Sequence, residues 1–294
     1  MSIESDPPTL PRRVLGRRLR EMREVAGLTR AKAARKCEMG AQTLWRLECG
    51  RNKETKKMVV NALCETYGAS AKERNELLWL VDESRKDGWW QSYADVMCPE
   101  IGMFLDLERA ASRVFSWQWT TLPGLVQTPR YRRATWDIST MLGVEIEPDR
   151  EIVLLRKRQE RLYDSECFSL EVALSEAVLR HPIGGLETMA EQLDHLIELS
   201  SLPNVSLRVL PFATPNHIGI MAKDFVYLEF PEHLNPVLTE PPVIYVEGFT
   251  GALYLDKQFE IDRYQSAMTS ILQVALDERD TQRLLEATAR EYRS

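Results

Sequence analysis

The chain has 294 residues, 38 of them basic and 44 acidic, and a formal net charge of −6 at pH 7. This length leaves room for two domains, and no apolar run approaches the ~18 residues that a membrane-spanning helix needs. The five cysteines form no CxxC pair, which argues against a zinc site or a disulfide framework and favours a reducing cytoplasm.

The N-terminal region begins with a polar, Pro-containing stretch, residues 1–11, that is typical of a disordered tail and not of a signal peptide. Up to Lys57 the chain carries 15 basic and 7 acidic residues, a net charge of +8, whereas residues 58–294 carry 23 and 37, a net charge of −14. This asymmetry favours a nucleic-acid-binding region, because a basic face attracts duplex DNA by releasing condensed counterions. The alternative is that the basic run is only a solvated helix face.

Two short helices joined by a tight turn are predicted between Leu28 and Gly50. Thr29 is placed to cap the first helix, and Ala34 is the small side chain that a close helix crossing needs. The apolar contacts of the second helix are expected to come from Met39, Leu44 and Leu47. This spacing is typical of a helix-turn-helix motif, whose second helix lies in the major groove of DNA.

The first turns of that second helix predict which side chains read bases. Gln can bond an adenine edge, Arg can bond a guanine edge, and an Ala or Thr methyl group can contact a thymine methyl. The predicted base-reading residues are Ala41, Gln42, Thr43 and Arg46. The predicted phosphate contacts, which set the register on DNA, are Arg30, Arg51, Asn52 and Lys53. Trp45 fits either packing at the rim of the domain or a DNA contact.

The motif LTxxxxA…TLxRLExG resembles the Xre/Cro/CI-type DNA-binding domain of phage-like repressors. The resemblance covers about residues 12–85 and rests on Leu28, Ala34, Leu44, Leu47, Glu48 and Gly50. A first helix is predicted from the apolar stripe of Leu15, Leu19, Met22 and Ala26. Further helices predicted at 56–67 and 71–85, the second with Ser70 as its cap, complete a mainly α domain of five helices. The sequence departs from the family at Glu38, where Gly is usual in the turn, and at Gly40, where Ser or Thr usually caps the helix.

The rest of the chain is predicted to form a junction at residues 86–105, with Trp89 and Trp90 as interdomain contacts, and an α+β domain at residues 106–294. Helices are predicted at 105–117, 131–142, 149–163, 186–199, 261–276 and 281–292. Strands are predicted at 168–174, 205–210, 224–230, 243–247 and 253–255. Helices before and after a cluster of strands indicate an α+β fold with a small sheet.

A second resemblance covers about residues 88–290. Five segments look like the C-terminal domain of a large group of actinobacterial Xre-type regulators, and they occur in the order PGLVQTPRY, RKRQERL, LSEAVLR, QLDHLIELSSLPNVSLRVLPF and VIYVEG. That group is described as antitoxin-like and often sits beside a gene for a small partner protein. The resemblance implies an architecture and a small protein partner, and it implies no biochemical activity.

The C-terminal region gives little support for catalysis. Its four histidines are scattered, no phosphate-binding loop is present, and no metal or cofactor is predicted. Glu176 and Glu247 each close a predicted strand, and paired carboxylates of this kind can do acid–base work. Their commoner role is a structural ion pair, here with Arg156, Arg158 or Arg161.

A ligand pocket is the alternative use of the same residues. Aromatic walls with a few polar groups can select a small molecule. The predicted pocket residues are Trp117, Gln127, Arg158, Glu176 and Glu247, with Trp119 beside them. The competing interpretation is that both tryptophans are ordinary core residues.

These features predict a cytoplasmic, sequence-specific transcription regulator and not an enzyme. Residues 12–85 bind double-stranded DNA, and residues from about 91 on sense a partner protein or a small ligand. A homodimer is expected because one recognition helix reads few bases. The alternative is an antitoxin-like protein that sequesters a small cognate partner, with autoregulatory DNA binding; its acidic C-terminal region would suit a basic protein. An enzyme fused to a DNA-binding domain is a weaker alternative.

Overall fold

The computed structural model describes residues 9–52, 54–86, 101–141, 147–233, 235–249 and 251–294. The chain divides into two compact units. Unit 1 comprises residues 1–110 and 232–240, and unit 2 comprises residues 111–231 and 241–294. The tryptophans of the predicted junction lie outside the described residues.

Unit 1 is helical throughout its described elements. In chain order these are α1 (Leu10–Val25), α2 (Arg30–Lys36), α3 (Ala41–Glu48), α4 (Lys57–Tyr67), α5 (Ala71–Ser84) and α6 (Ile101–Ala110). The predicted five helices of the N-terminal domain are confirmed, although α1 begins inside the predicted tail 1–11. Unit 1 also includes all of α6, so it extends past the predicted boundary at residue 105.

Apolar stripes on the helices form the core of unit 1. Leu15 and Leu19 of α1 pack in one cluster with Leu44 of α3 and Leu63 of α4, and all four are fully buried. Ala26, predicted on the same stripe, is exposed because α1 ends at Val25.

Two of these helices begin at the capping residue that the sequence predicts. The Thr29 hydroxyl accepts the backbone N–H of Lys32 at 3.3 Å, and Ser70 forms a capping box with Glu73 at the start of α5. In the turn between α2 and α3, Glu38 has φ +50°. A side chain is unfavourable in this left-handed region by roughly 1–2 kcal/mol, which explains why Gly is usual at that position.

Unit 2 is built around a six-stranded mixed sheet. Its strands are β1 (Arg113–Gln118), β2 (Ser169–Ser175), β3 (Val205–Leu210), β4 (Phe225–Glu229), β5 (Val243–Gly248) and β6 (Gly251–Leu255), in the order β3-β2-β1-β4-β5-β6. Strands β1, β2 and β3 are parallel, whereas β4, β5 and β6 each run antiparallel to the preceding neighbour in this order. Strands β1, β2, β3 and β5 therefore end at one edge, here called the carboxyl edge.

Helices connect the parallel strands, since a parallel pair needs a crossover connection. The described helices of unit 2 are α7 (Pro129–Thr140), α8 (Pro148–Gln159), α9 (Glu176–Arg180), α10 (Leu186–Leu199), α11 (Gly219–Ala222), α12 (Gln258–Val274) and α13 (Glu278–Arg293). The predicted α+β fold is confirmed, with a larger sheet than expected. In the described part of the chain, no helix is long and apolar enough to cross a lipid bilayer.

The helix predicted at 105–117 is wrong in its second half. Helix α6 ends at Ala110, and residues 113–118 form β1, an interior strand of the sheet. Val114, Phe115, Ser116 and Trp117 are all buried, so this strand lacks the polar–apolar alternation of a half-exposed strand. Periodicity alone cannot distinguish such a buried run from a buried helix.

Candidate nucleic-acid interface and the charged cluster of unit 2

The exposed face of α3 carries the side chains predicted to read DNA bases. All four predicted readers are exposed, namely Ala41, Gln42, Thr43 and Arg46. On the other face of α3, Leu44 and Leu47 are buried in the core of unit 1. The helix therefore presents hydrogen-bonding groups outward from a fixed position, as readout in the major groove requires.

Buried charge anchors the C-terminal end of α3. The side chain of Glu48 is 1% exposed, and its carboxylate accepts hydrogen bonds from Arg23 Nε at 2.5 Å and from Arg30 Nε at 3.1 Å. Arg23 also donates to the carbonyl of Leu28 at 2.9 Å. The hydrogen bond to Glu48 raises the pKa of Arg23 above its ordinary value. One carboxylate thus ties α3 to α1 and to the start of α2.

The backbones of α1 and α3 approach closely at Gly16. A Cβ atom at this position would lie 2.4 Å from the carbonyl oxygen of Leu47 and 2.7 Å from that of Glu48. Only glycine fits such a backbone contact without a shift of one helix. The end of α3 is therefore held by direct helix–helix contact as well as by the ion pairs.

The predicted phosphate-binding residues have different surroundings. Arg51 is exposed and Asn52 is half-buried, whereas Lys53 lies outside the described residues. Arg30 is partly committed to Glu48, yet its side chain remains 39% exposed. The Arg51 guanidinium lies 5.5 Å from the ring centroid of Trp45, which is itself half-buried. The described structure therefore gives Trp45 an intramolecular cationic partner at the end of α3.

Helix α2 carries further exposed cations beyond those predicted to contact phosphates. Lys32, Arg35 and Lys36 are exposed, whereas Ala33 and Ala34 are buried. The basic residues that recur along the predicted helix after Thr29 were the sequence feature that could have indicated these cations. Exposed cations near a groove-reading helix add to the sequence-independent attraction for DNA.

The predicted pocket residues of unit 2 do not share one environment. Trp117 is fully buried in the core among residues such as Phe225 and Ile244. Glu176 accepts hydrogen bonds from Arg180 at 3.3 Å and from the backbone N–H of Phe212 at 3.0 Å. The carboxylate of Glu176 is therefore paired with Arg180, whereas the sequence suggested Arg156, Arg158 or Arg161.

The two carboxylates considered for acid–base work lie on separate strands. Glu176 follows β2 and Glu247 lies in β5, and both β1 and β4 run between these strands. With neighbouring strands about 4.8 Å apart, three spacings separate the two strand ends by about 14 Å. The structure does not bring this carboxylate pair together.

Four ionisable side chains near the carboxyl edge form what we call the charged cluster: Arg132, Glu151, Arg158 and Glu247. Arg132 lies 3.5 Å from Glu151, and its guanidinium is 5.1 Å from the ring centroid of Trp136. Burial lowers the pKa of Arg132, and the positive charge of Arg158 lowers it further. Burial also raises the pKa of Glu151, against the opposing attraction of Arg132 and Arg158. The side chain of Glu247 is exposed near the end of β5, yet the desolvation caused by the surrounding protein raises its pKa in the same direction.

The loop after β1 is held beside this cluster by amide side chains. Gln127 Nε2 donates to the carbonyl of Leu122 at 2.6 Å, and Gln159 Nε2 donates to the carbonyl of Gln127 at 2.8 Å. A Cβ atom at Gly124 would lie 2.7 Å from Arg158 Nη1. Gln127 and Arg158, two of the predicted pocket residues, therefore contact the same loop, and Arg158 packs directly on its backbone.

Two family models match different parts of the chain. A model described as a helix-turn-helix domain matches residues 14–77, and a model described as a domain of unknown function (DUF5753) matches residues 101–287. The second match spans more than half of the chain. The chain belongs to the DUF5753 family. In this DUF5753 protein, the matched helix-turn-helix range contains the α2–α3 pair described above.

One solved structure is also similar to a part of the chain. It is the clp gene regulator ClgR from C. glutamicum, with 27% identity, coverage of 28% of this chain and 100% of that chain, and a TM-score of 0.22. A comparison with curated proteins found no match.

The DUF5753 match does not coincide with unit 2. It begins at Ile101, the first residue of α6, and it runs through residues 232–240, although the structure assigns both segments to unit 1. Within the described residues, no group of three His, Cys, Asp or Glu side chains is arranged to hold a metal ion.

Proposed function

We propose that this DUF5753 protein is a sequence-specific transcription regulator that reads its operator with α3. The helix-turn-helix match supports DNA binding, and the exposed readers on the firmly anchored α3 are the observation that carries the sequence-specific part. In this proposal Gln42 and Arg46 make the bidentate base contacts, and Ala41 and Thr43 contact methyl groups. Arg30, Arg51, Asn52 and Lys53 hold phosphates and set the register.

The proposal assigns sensing to unit 2, with no catalytic step. The charged cluster supports this role, because arginines and carboxylates that lie close together with perturbed pKa values are typical of functional sites. Arg132, Arg158 and Glu247 would then contact a small ligand or a partner protein. Sequestration of a small protein is the competing function, and the acidic balance of residues 58–294 favours a basic partner for it.

Selection from randomised duplexes, followed by affinity measurements on the full chain, tests the DNA-binding part. Gln42→Ala and Arg46→Ala should each cost about 1–3 kcal/mol on the selected sequence and relax base preference at single positions. Arg51→Ala should weaken binding about equally on all sequences. It should also reduce the slope of log affinity against log salt concentration by about 1, the change expected for one lost phosphate contact.

The matched control is Gln258→Ala with Arg263→Ala, which removes the same residue types from the exposed surface of α12. This double variant should bind like the parent chain. Unchanged affinity and selectivity in the Gln42 and Arg46 variants would rule out readout by α3. Absence of any selected sequence, together with co-purification of a small basic protein, would favour the sequestering function.

A further inference from the structure

Residues 235–240, here called the strap, lie in unit 1 although residues 231 and 241 belong to unit 2. The chain leaves the sheet after β4 and returns to it at β5, and Leu228 of β4 pairs directly with Val243 of β5. Opposite residues of an antiparallel pair are about 5 Å apart. The two ends of the segment between Leu228 and Val243 are therefore fixed at neighbouring points of the β4–β5 ladder.

Buried charge attaches the strap to α1. Glu240 is 6% exposed, and its carboxylate binds Arg13 at 3.1 Å and Arg17 at 3.4 Å. Arg17 also donates to the backbone carbonyl of Thr239 at 3.0 Å. A buried carboxylate without such partners would be strongly unfavourable, so the position of Glu240 depends on α1.

Apolar and polar contacts fasten the rest of the strap. Leu238 is 9% exposed and belongs to the same core cluster as Leu15 and Leu19 of α1. Asn235 Nδ2 donates to Glu76 of α5 at 2.7 Å. The strap therefore contributes two buried side chains, Leu238 and Glu240, to the packing of unit 1.

Helix α1, which the strap holds, is also the helix that positions α3. Its Gly16 contacts the backbone at the end of α3, and its Arg23 binds Glu48. A displacement of α1 would therefore move or loosen the helix that carries the proposed base readers. Because cores repack between discrete arrangements, such a displacement is not absorbed gradually.

We propose that the strap couples the two units, by making the placement of α1 depend on the pairing of β4 with β5. This inference rests on the proposed function, because it names the route by which unit 2 regulates DNA binding by α3. With the strap seated, α1 supports α3. When the β4–β5 ladder shifts, Leu238 and Glu240 withdraw and α1 loses that support. A ligand or protein that binds one arrangement of the ladder more tightly than the other changes DNA affinity, and the difference between its two affinities sets the limit of that change.

Amide hydrogen exchange on the full chain without DNA tests the coupling. Glu240→Gln removes the charge at nearly constant size, and Leu238→Ala removes the apolar anchor while leaving the ion pairs. Each variant should speed exchange about 2- to 30-fold in α1 and also in β4 and β5. Glu232→Gln, an exposed carboxylate of the same chain segment, is the matched control and should change neither region.

The reverse variant starts from the sheet. Ile244→Ala opens a cavity beneath β5, where Ile244 is fully buried, and it should also speed exchange in α1. The coupling would be overturned if the strap variants sped amide exchange in α1 but not in β4 and β5. It would also be overturned if Ile244→Ala left the exchange rate of α1 unchanged. Failure of the parent chain to bind any DNA would instead refute the proposed function and leave these exchange results standing.

Discussion

The placement of α3 depends directly on Glu48, because this carboxylate joins the helix to both Arg23 and Arg30. Glu48→Gln should lower the free energy of unfolding of unit 1 by about 3–5 kcal/mol, since the buried Arg23 guanidinium loses its buried counter-charge and keeps only the exposed carboxylate of Glu24, 3.4 Å away. Because the chain contains two units, the change is best measured as urea-dependent amide exchange in α1 and α3.

Glu65→Gln provides the control in the same unit. Glu65 is 68% exposed and lies 3.6 Å from Arg74, so water and salt screen this pair. Its loss should cost at most about 1 kcal/mol. Equal effects of the two substitutions would show that the buried triad does not anchor α3.

Residue-scale predictions from the sequence succeed where the partner is near in the chain. Thr29 and Ser70 cap their helices as predicted, because a cap bonds a backbone N–H only three residues away. The partnership of Glu48 with Arg23 spans 25 residues and belongs to no periodic pattern. The motif that includes Glu48 is visible in the sequence, but the sequence does not show that Arg23 is the ion-pair partner of Glu48.

Helix packing in unit 1 makes a sharp prediction at Gly16. Glycine in the interior of a helix is normally less favourable than alanine by roughly 0.5–1 kcal/mol, so Gly→Ala usually stabilises. Here the added methyl would meet the Leu47 carbonyl at 2.4 Å, and we expect Gly16→Ala to destabilise unit 1 by about 1–3 kcal/mol. Amide exchange in α1 and α3 measures the sign directly.

A substitution on the exposed side of the same helix supplies the comparison. Arg20 is exposed and bonds only locally, to Glu24 at 3.0 Å. Arg20→Ala should leave the stability of unit 1 within about 0.5 kcal/mol of the parent. If Gly16→Ala were as stable as the parent or more so, the close approach of α1 and α3 would be contradicted.

Helices and strands are predictable from the sequence when buried and exposed residues alternate regularly along them. The boundaries of β3 and α10 agree with the predicted ranges, because each has one buried and one exposed face or a clear terminal turn. The prediction for the residues of β1 is wrong because its central residues are buried on both faces of the sheet, so buried and exposed residues do not alternate along it. The neighbour relations that identify β1 as an interior strand come from β2 and β4, distant in the chain.

The scale of the whole molecule is where the sequence is least informative. Leu238 and Glu240 stand more than two hundred residues from the α1 side chains they contact, and a short polar and Pro-containing stretch around them reads as an ordinary loop. Glu176 follows β2 and Glu247 lies near the end of β5, yet the sequence cannot show that β1 and β4 separate them. The charged cluster of unit 2 is likewise assembled from separate helices and strands.

Two copies of the protein should occupy one operator, since a single α3 offers only Ala41, Gln42, Thr43 and Arg46 to the bases. Two-fold copies of a recognition helix fit half-sites about one helical turn of DNA apart, on one face of the duplex. Inserting 5 bp between the selected half-sites turns one of them to the opposite face. Affinity should then fall about 10²- to 10⁴-fold, because simultaneous engagement is lost.

The measurement is titration of the full chain on the original and the lengthened duplex, with sedimentation to count the bound copies. A 5 bp insertion outside the two half-sites is the control, because it changes length without changing their relative rotation. A single bound copy on the original duplex, or equal affinity for all three duplexes, would contradict two-fold binding. Recovery of part of the affinity with a 10 bp insertion would attribute the loss to rotation, since a full turn returns both half-sites to one face.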